Sequence, residues 1–220
     1  ANPAPGEASL AHNGVLFLDE LPEFKRSALE VLRQPLEDGQ VTISRAAGTM
    51  TFPSQFMLVA AMNPTPDGKM PAESRSTPRE IQNYLGRLSG PLLDPIDIHI
   101  EVPQVHVRDI SWKRAGECGA AIRERVVAAR RIQQKRFAGR KVTCNARIGS
   151  RELKEFCTIS EDTLELLKLA MQQADLSARA YDRILKVPRT NADLAGTERI
   201  LSEHVGEAVQ FRSLDRQLWT

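Results

Sequence analysis

"GVLFLDELPEF", residues Gly14 to Phe24, carries an apolar run, Val15 to Leu18, straight into two adjacent carboxylates, Asp19 and Glu20, and then into a proline-bearing turn. A short continuous apolar run predicts a strand covered on both faces, as in a parallel α/β sheet. In such sheets ligands gather beyond the carboxyl ends of the strands. The acid pair therefore stands where a site is expected, and the surrounding chain is read for its partners.

Downstream, Ser27 to Leu36 places Leu29, Val31, Leu32 and Leu36 near helical spacing, and Asp38-Gly39 closes that helix. "QVTISRAAGTMTF" alternates apolar and polar residues on either side of Ala46-Ala47-Gly48, which predicts a β-hairpin. "FMLVAAMNP" reads as a second buried strand ending in a polar residue, Asn63. Thr65 to Ser76, rich in Pro, Gly and Ser, predicts an exposed loop, and Thr77-Pro78 is a good helix entry, an N-cap followed by proline at the first helical position. "IDIHIEV", Ile96 to Val102, alternates strictly and predicts another strand. Beyond Pro103 the texture becomes helical, with a long basic stretch, "AAIRERVVAARRIQQKRF", and later helices around Thr163 to Gln173, Ser177 to Leu194 and His204 to Arg212. Pro188 falls inside the Ser177–Leu194 helix and predicts a kink just before it, because proline removes a hydrogen bond and clashes with the preceding turn.

The totals bound the function classes. The chain has 220 residues and a formal net charge of +2, so overall charge announces no nucleic-acid partner, and any basic surface must be local. Three cysteines, Cys118, Cys144 and Cys157, form no C-x-x-C pair, which argues against a disulfide framework or a zinc site and suits a reducing cytoplasm. No stretch has the length of a membrane span, and the opening "ANPAPGEASLAHNG" lacks the basic-then-apolar order of a signal peptide. The reading is a cytoplasmic protein without a membrane segment, and the first residue, Ala1 rather than Met, suggests a piece of a longer chain.

An Asp and a Glu side by side at a strand end suit nucleoside triphosphate hydrolysis: the Asp supports Mg²⁺ through its water shell, and the Glu orients or deprotonates the attacking water. Asp19 and Glu20 fit those roles. Taken alone, such a pair more commonly starts a solvated turn, and Asn63 suits a turn-satisfying amide.

With the Pro-containing turn after Glu20, the hairpin ahead of "AAMNP" and the string "RLSGPLLDPIDIHIEVP", the chain resembles the AAA+ ATPases, and among them the magnesium-chelatase-like bacterial proteins of the ComM/YifB group. The resemblance extends from "PGEASLAHNGVLFLDELPEF" to "QFRSLDRQLW". It implies an α/β fold: a partial P-loop NTPase core over 1–107, a parallel sheet with helices and a β-hairpin insert, followed by an all-α lid over 108–220. Asp19 and Glu20 then match the Walker B acids and Asn63 matches sensor 1. Arg179 in "LSARAYDRIL" matches the sensor 2 arginine that reaches from the lid to the γ-phosphate; read without the family, it is an exposed helix charge. ATP and Mg²⁺ are the implied substrate and metal, and a homo-hexamer the implied assembly.

Two departures stand out. No G-x-x-x-x-G-K-[ST] string occurs in the sequence, and the P-loop supplies most of the grip on the β- and γ-phosphates. The full-length protein is therefore expected to hydrolyse ATP and residues 1–220 alone are not. Pro95 occupies the position where the family usually carries an arginine finger, in G-P-L-L-D-R-[IF]-D. Arg87 or Arg79 takes that role, or turnover is impaired, or the residue is an alteration; the finger stays open.

In related helicases the hairpin ahead of sensor 1 faces the ring's pore, and here its tip carries Arg45, which is either a collar for single- or double-stranded DNA or a solvated hairpin charge. Arg123, Arg125, Arg130, Arg131, Lys135 and Arg136 form a second candidate DNA surface, or a wet helix face. Three functions remain: an ATP-driven DNA-remodelling motor, a chelatase-type subunit driving metal insertion by a partner protein, and a weakened regulatory module.

Overall fold

The structure, a computed structural model, describes residues 4–45, 48–103, 116–173 and 178–212, which fall into two compact units, 1–96 and 97–220. The fold is mixed α/β with a parallel sheet, followed by helices. The expected border at 107–108 lies outside the described residues.

In the first unit a short helix, α1 (Glu7–Leu10), precedes β1 (Val15–Leu18). Strand β1 pairs in parallel with β4 (Met57–Ala60), Val15 opposite Met57 and Leu18 opposite Ala60. One expectation fails here. The apolar run predicted a strand covered on both faces, yet Val15 is 54% exposed, Phe17 57% and Met57 60%, because among the described residues no element packs over that face. Leu16 and Leu18, on the other side of β1, are partly buried.

The single helix expected over Ser27–Leu36 is two: α2 (Arg26–Val31) and α3 (Arg33–Asp38), meeting at Leu32. Pro35 is the cause, since it has no N–H for the Val31 carbonyl and its ring crowds that carbonyl. Gly39 closes α3 in the left-handed conformation, φ 67°, and a Cβ there would lie 2.9 Å from the Gln55 side chain, so only glycine fits without displacing it. The hairpin is present as β2 (Gln40–Arg45) and β3 (Gly48–Pro53), antiparallel, with hydroxyl pairs Thr42–Thr51 and Ser44–Thr49 across it, each at 3.1 Å. Helix α4 (Pro78–Leu85) starts as expected: Thr77 Oγ1 accepts the Glu80 N–H while Glu80 accepts the Thr77 N–H, a reciprocal cap. Tyr84, Leu88, and Leu92 and Leu93 of α5 (Gly90–Leu93) are buried, as are Leu21 and Leu29 in the same unit.

The strand expected over Ile96–Val102 does not form. Alternation supplies the pattern but not a partner edge; from Asp97 on, the segment belongs to the second unit, where the His99 N–H donates to the Phe211 carbonyl at 2.8 Å.

The second unit packs α6 (Gly119–Arg136), α7 (Ser150–Phe156), α8 (Glu161–Gln173), α9 (Ala178–Leu194) and α10 (Ser202–Gln210) around Phe137, Ile148, Leu153, Leu167, Ile184, Ala192 and Val205. Helix α9 runs through Pro188 as one continuous helix, and the proline itself is fully buried. Burial pushes the Cys157 thiol up to about 11, so it stays protonated as a small core residue. Among the described residues no helix is long and apolar enough to cross a membrane.

Candidate functional site

The β1–β4 pairing determines where the candidate residues emerge. Because the strands are parallel and in register, Asp19-Glu20 and Ala61-Met62-Asn63 leave the sheet at the same end, on adjacent strands. The ladder is continued by two further bonds, Ala61 N–H to Leu18 O at 2.9 Å and Leu21 N–H to Ala61 O at 3.0 Å. Asp19, Glu20 and Asn63 are all exposed there.

Glu20 has left-handed backbone angles, φ 51° and ψ 49°. Such angles cost a non-glycine residue on the order of 1–2 kcal/mol, and residues held in them cluster at functional sites. Its surroundings hold it in place: the Glu20 N–H donates to Asp19 Oδ1 at 2.9 Å, and the Glu20 carbonyl accepts the Glu23 N–H at 2.8 Å. The turn that follows is a single 3-10 turn, Leu21–Glu23, with Leu21 and Pro22 buried beneath it. The effect is to bend the chain sharply after β1 and leave both carboxylates outside.

On the neighbouring strand end, Asn63 opens the proline-rich loop. That loop is built around Asp67, which accepts the hydroxyls of Thr65 and Ser74, each at 2.7 Å, and the Arg75 N–H at 2.9 Å. These donors, the Arg75 N–H first, hold the Asp67 carboxyl well below the usual carboxylate range. Gly68 (φ 75°) passes close to Asn63: a Cβ at Gly68 would lie 3.9 Å from the Asn63 amide. Tyr84, at the end of α4, donates its hydroxyl to the Asn63 carbonyl at 3.3 Å. Burial, then the charge of Glu23 and less strongly that of Glu20, raise the Tyr84 phenol above its ordinary value.

Sequence reading missed Tyr84 and Asp67. For Asp67 a signal existed, since Pro66-Asp67-Gly68 is a turn signature with a side chain able to bond onward. For Tyr84 there was none; an aromatic on a helix reads as core. Arg87, offered as a stand-in for the finger, instead donates to Pro22 O at 3.0 Å and Glu23 Oε2 at 3.1 Å within its own unit. Arg79 is exposed in the first turn of α4. Pro95 follows Asp94 directly after α5.

The remaining candidates are placed by backbone alone. Arg45 is the last residue of β2, opposite Gly48, and Arg179 lies in the first turn of α9, in the second unit; both side chains lie outside the described residues. The basic helix α6 is only partly a free surface. Arg136 turns inward to Asp193 at 2.7 Å and Arg125 forms a bidentate pair with Glu117, while Arg123, Arg130, Arg131 and Lys135 are exposed.

Comparison with known proteins fits this geometry. The family described as magnesium chelatase, subunit ChlI, matches residues 1–110, and its C-terminal counterpart matches residues 116–212. Competence protein ComM of Haemophilus influenzae is 47% identical over 218 residues, 98% of this chain and 42% of that protein. YifB of Salmonella typhimurium is 44% identical over 220 residues, 99% of this chain and 43% of that protein, and a Mycobacterium bovis protein, Mb2921c, is 37% identical over 209 residues. The chain thus spans less than half the length of these relatives.

Proposed function

The chain belongs to the magnesium-chelatase-like family of AAA+ proteins, and from that premise we propose that it forms the Walker B, sensor 1 and lid portion of an ATP-hydrolysing ring motor. One observation carries the reading: two adjacent parallel strands deliver an acid pair and an amide to the same end of a sheet. The donor set suits a hydrated Mg²⁺ with a nucleotide, because two exposed oxygen ligands at a strand end can act through water without any nitrogen or sulfur donor. Asp19 would hold the metal's water shell. Glu20, held outward by its left-handed turn, would orient or deprotonate the attacking water. The Asn63 amide would hold that water or the γ-phosphate, and Arg179 would approach from the lid. When bound, Mg²⁺ supplies charge neutralisation of the phosphate oxygens.

The assembly proposed is a homo-hexamer acting on single- or double-stranded DNA, with Arg45 at the hairpin tip as the phosphate contact. The name of the ComM relative, a competence protein, supports a DNA-remodelling role. The description of both family matches as subunit ChlI supports the second reading, a chelatase-type subunit driving metal insertion by a partner protein. Salt decides between them: DNA binding by the full-length ring should weaken steeply as salt rises and fall with Arg45→Glu. Binding indifferent to both would leave the chelatase reading.

Hydrolysis is tested by Glu20→Gln in the full-length protein. Turnover should fall about 10²–10⁴-fold while ATP still binds, as removal of a general base requires. Wild-type turnover that survives the change, or hydrolysis by residues 1–220 alone, overturns the assignment.

A further inference from the structure

The end of α4 reaches both strand ends at once. Tyr84, 6% exposed, donates to the Asn63 carbonyl, and Arg87, three residues later in the turn that follows α4, donates Nη1 to the Pro22 carbonyl and to Glu23. Pro22 and Glu23 form the turn that Glu20 caps, and the Glu23 N–H closes that turn onto the Glu20 carbonyl. Beyond Ala61 the β1–β4 ladder has ended, so strand pairing does not fix Asn63 relative to the acid turn. The two side chains supply the missing connection, one to each side.

Competing explanations are weaker. The Arg87–Glu23 pair is half-exposed on both sides, 48% and 56%, and a surface ion pair of that kind contributes little on its own. The bond to the Pro22 carbonyl is a different matter, because a main-chain oxygen in a tight turn is a fixed target that screening does not move. Tyr84 as a simple core aromatic would not require a hydroxyl, yet its hydroxyl has a partner on the Asn63 main chain; burial first, and then the charges of Glu23 and Glu20, raise the phenol.

We propose that Tyr84 and Arg87 are positioning residues that clamp the acid turn and the Asn63 loop in one register, so that displacement of either is transmitted to the other. What is being positioned rests on the ATPase reading; the clamp itself does not.

The test has two arms. In residues 1–220, amide hydrogen exchange is compared for wild type, Tyr84→Phe and Arg87→Lys, the second keeping the charge while losing the forked reach. Exchange at Leu21 and Glu23 should accelerate about tenfold in both variants, the change expected for loss of one hydrogen bond's support, while Leu16, Phe17 and Leu58 within the ladder stay unchanged. Equal acceleration across the ladder would mean general loss of packing, and no acceleration would mean no clamp; either result overturns the proposal. In the full-length protein, both variants should lower kcat for ATP about ten- to a hundredfold with KM within about twofold, since misplacement of a reacting group acts on the transition state. A rise in KM with unchanged kcat overturns it as well. If wild type shows no turnover at all, the ATPase reading fails, and the exchange arm still decides the clamp.

Discussion

In the helical unit one cluster of charges, Asp193 with Arg136 and Arg189, lies inside, whereas in the α/β unit Asp19, Glu20 and Asn63 remain exposed at strand ends. Asp193, with a side chain wholly out of water, accepts from Arg136 at 2.7 Å, from Arg189 at 3.1 Å and from Asn145 at 2.8 Å. Arg189 also donates to the carbonyls of Thr197 and Glu198, tying the chain after α9 back onto the helix. Burial works against the Asp193 charge, but the Arg136 and Asn145 bonds outweigh it, and the carboxyl is held below its ordinary value. There the polar groups define a fold. Asp19 and Glu20 satisfy little beyond their own turn, and Glu20 is held in a costly backbone conformation. A residue strained to stay outside suits the binding role proposed for these strand ends.

Breaking the buried cluster should give the largest effect. Asp193→Ala leaves two guanidiniums without their carboxylate in the packed interior and should cost about 3–5 kcal/mol, seen as a lower denaturant midpoint for the whole chain. The same change made together with Arg136→Met and Arg189→Met should cost far less, because the uncompensated charges are gone. A loss near zero for Asp193→Ala alone would erase the contrast between the units.

The strained turn should respond in the opposite direction. Glu20→Gly removes the Cβ that makes the left-handed conformation expensive, and after allowing for the freer unfolded chain it should stabilise by about 0.5–1 kcal/mol. Turnover in the full-length protein should disappear with the same change. A variant that gains stability and keeps activity would show that Glu20 is strained for no catalytic reason; one that loses stability would show the turn is held by the side chain and not in spite of it.

How much of this was readable in advance follows from what each signal depends on. The strands of the α/β unit, the hairpin and the capped start of α4 were legible because period, turn residues and capping chemistry are local, and so was the emergence of the acid pair and Asn63 at strand ends. The split between α2 and α3 was also written in the sequence, at Pro35, and was passed over because Leu29, Leu32 and Leu36 kept helical spacing across it. Ile96–Val102 misled for a deeper reason: alternation describes a strand's faces, while a ladder needs an edge, and edges are set by distant chain. The exposure of Val15 and Phe17 has the same origin. The Tyr84 and Arg87 bonds span 21 and 65 residues of sequence, and no local pattern encodes a contact of that range.

The smallest effect separates the two low-lying carboxyls. Asp67 and Asp193 are both held below their ordinary value, the first by hydroxyl and main-chain donors at an exposed loop, the second among buried side chains. A carboxyl with a lowered folded-state value stabilises fully above its unfolded value, near 3.9, and loses that contribution as pH falls through the folded one. Acidification should therefore begin to weaken the Thr65–Arg75 loop below about pH 4 and release it only well below that, where Asp67 in the intact loop takes up its proton, a change visible as faster exchange of the Arg75 amide. Asp67→Asn should flatten that acid limb and leave the rest of the chain's pH response in place. Because Gly68 lies against the Asn63 amide, the Asn63 side-chain resonances should shift together with Arg75 as the loop titrates. If Arg75 responds and Asn63 does not, the loop is ordered independently of the amide, and Tyr84 is left as the contact that holds the Asn63 main chain in place.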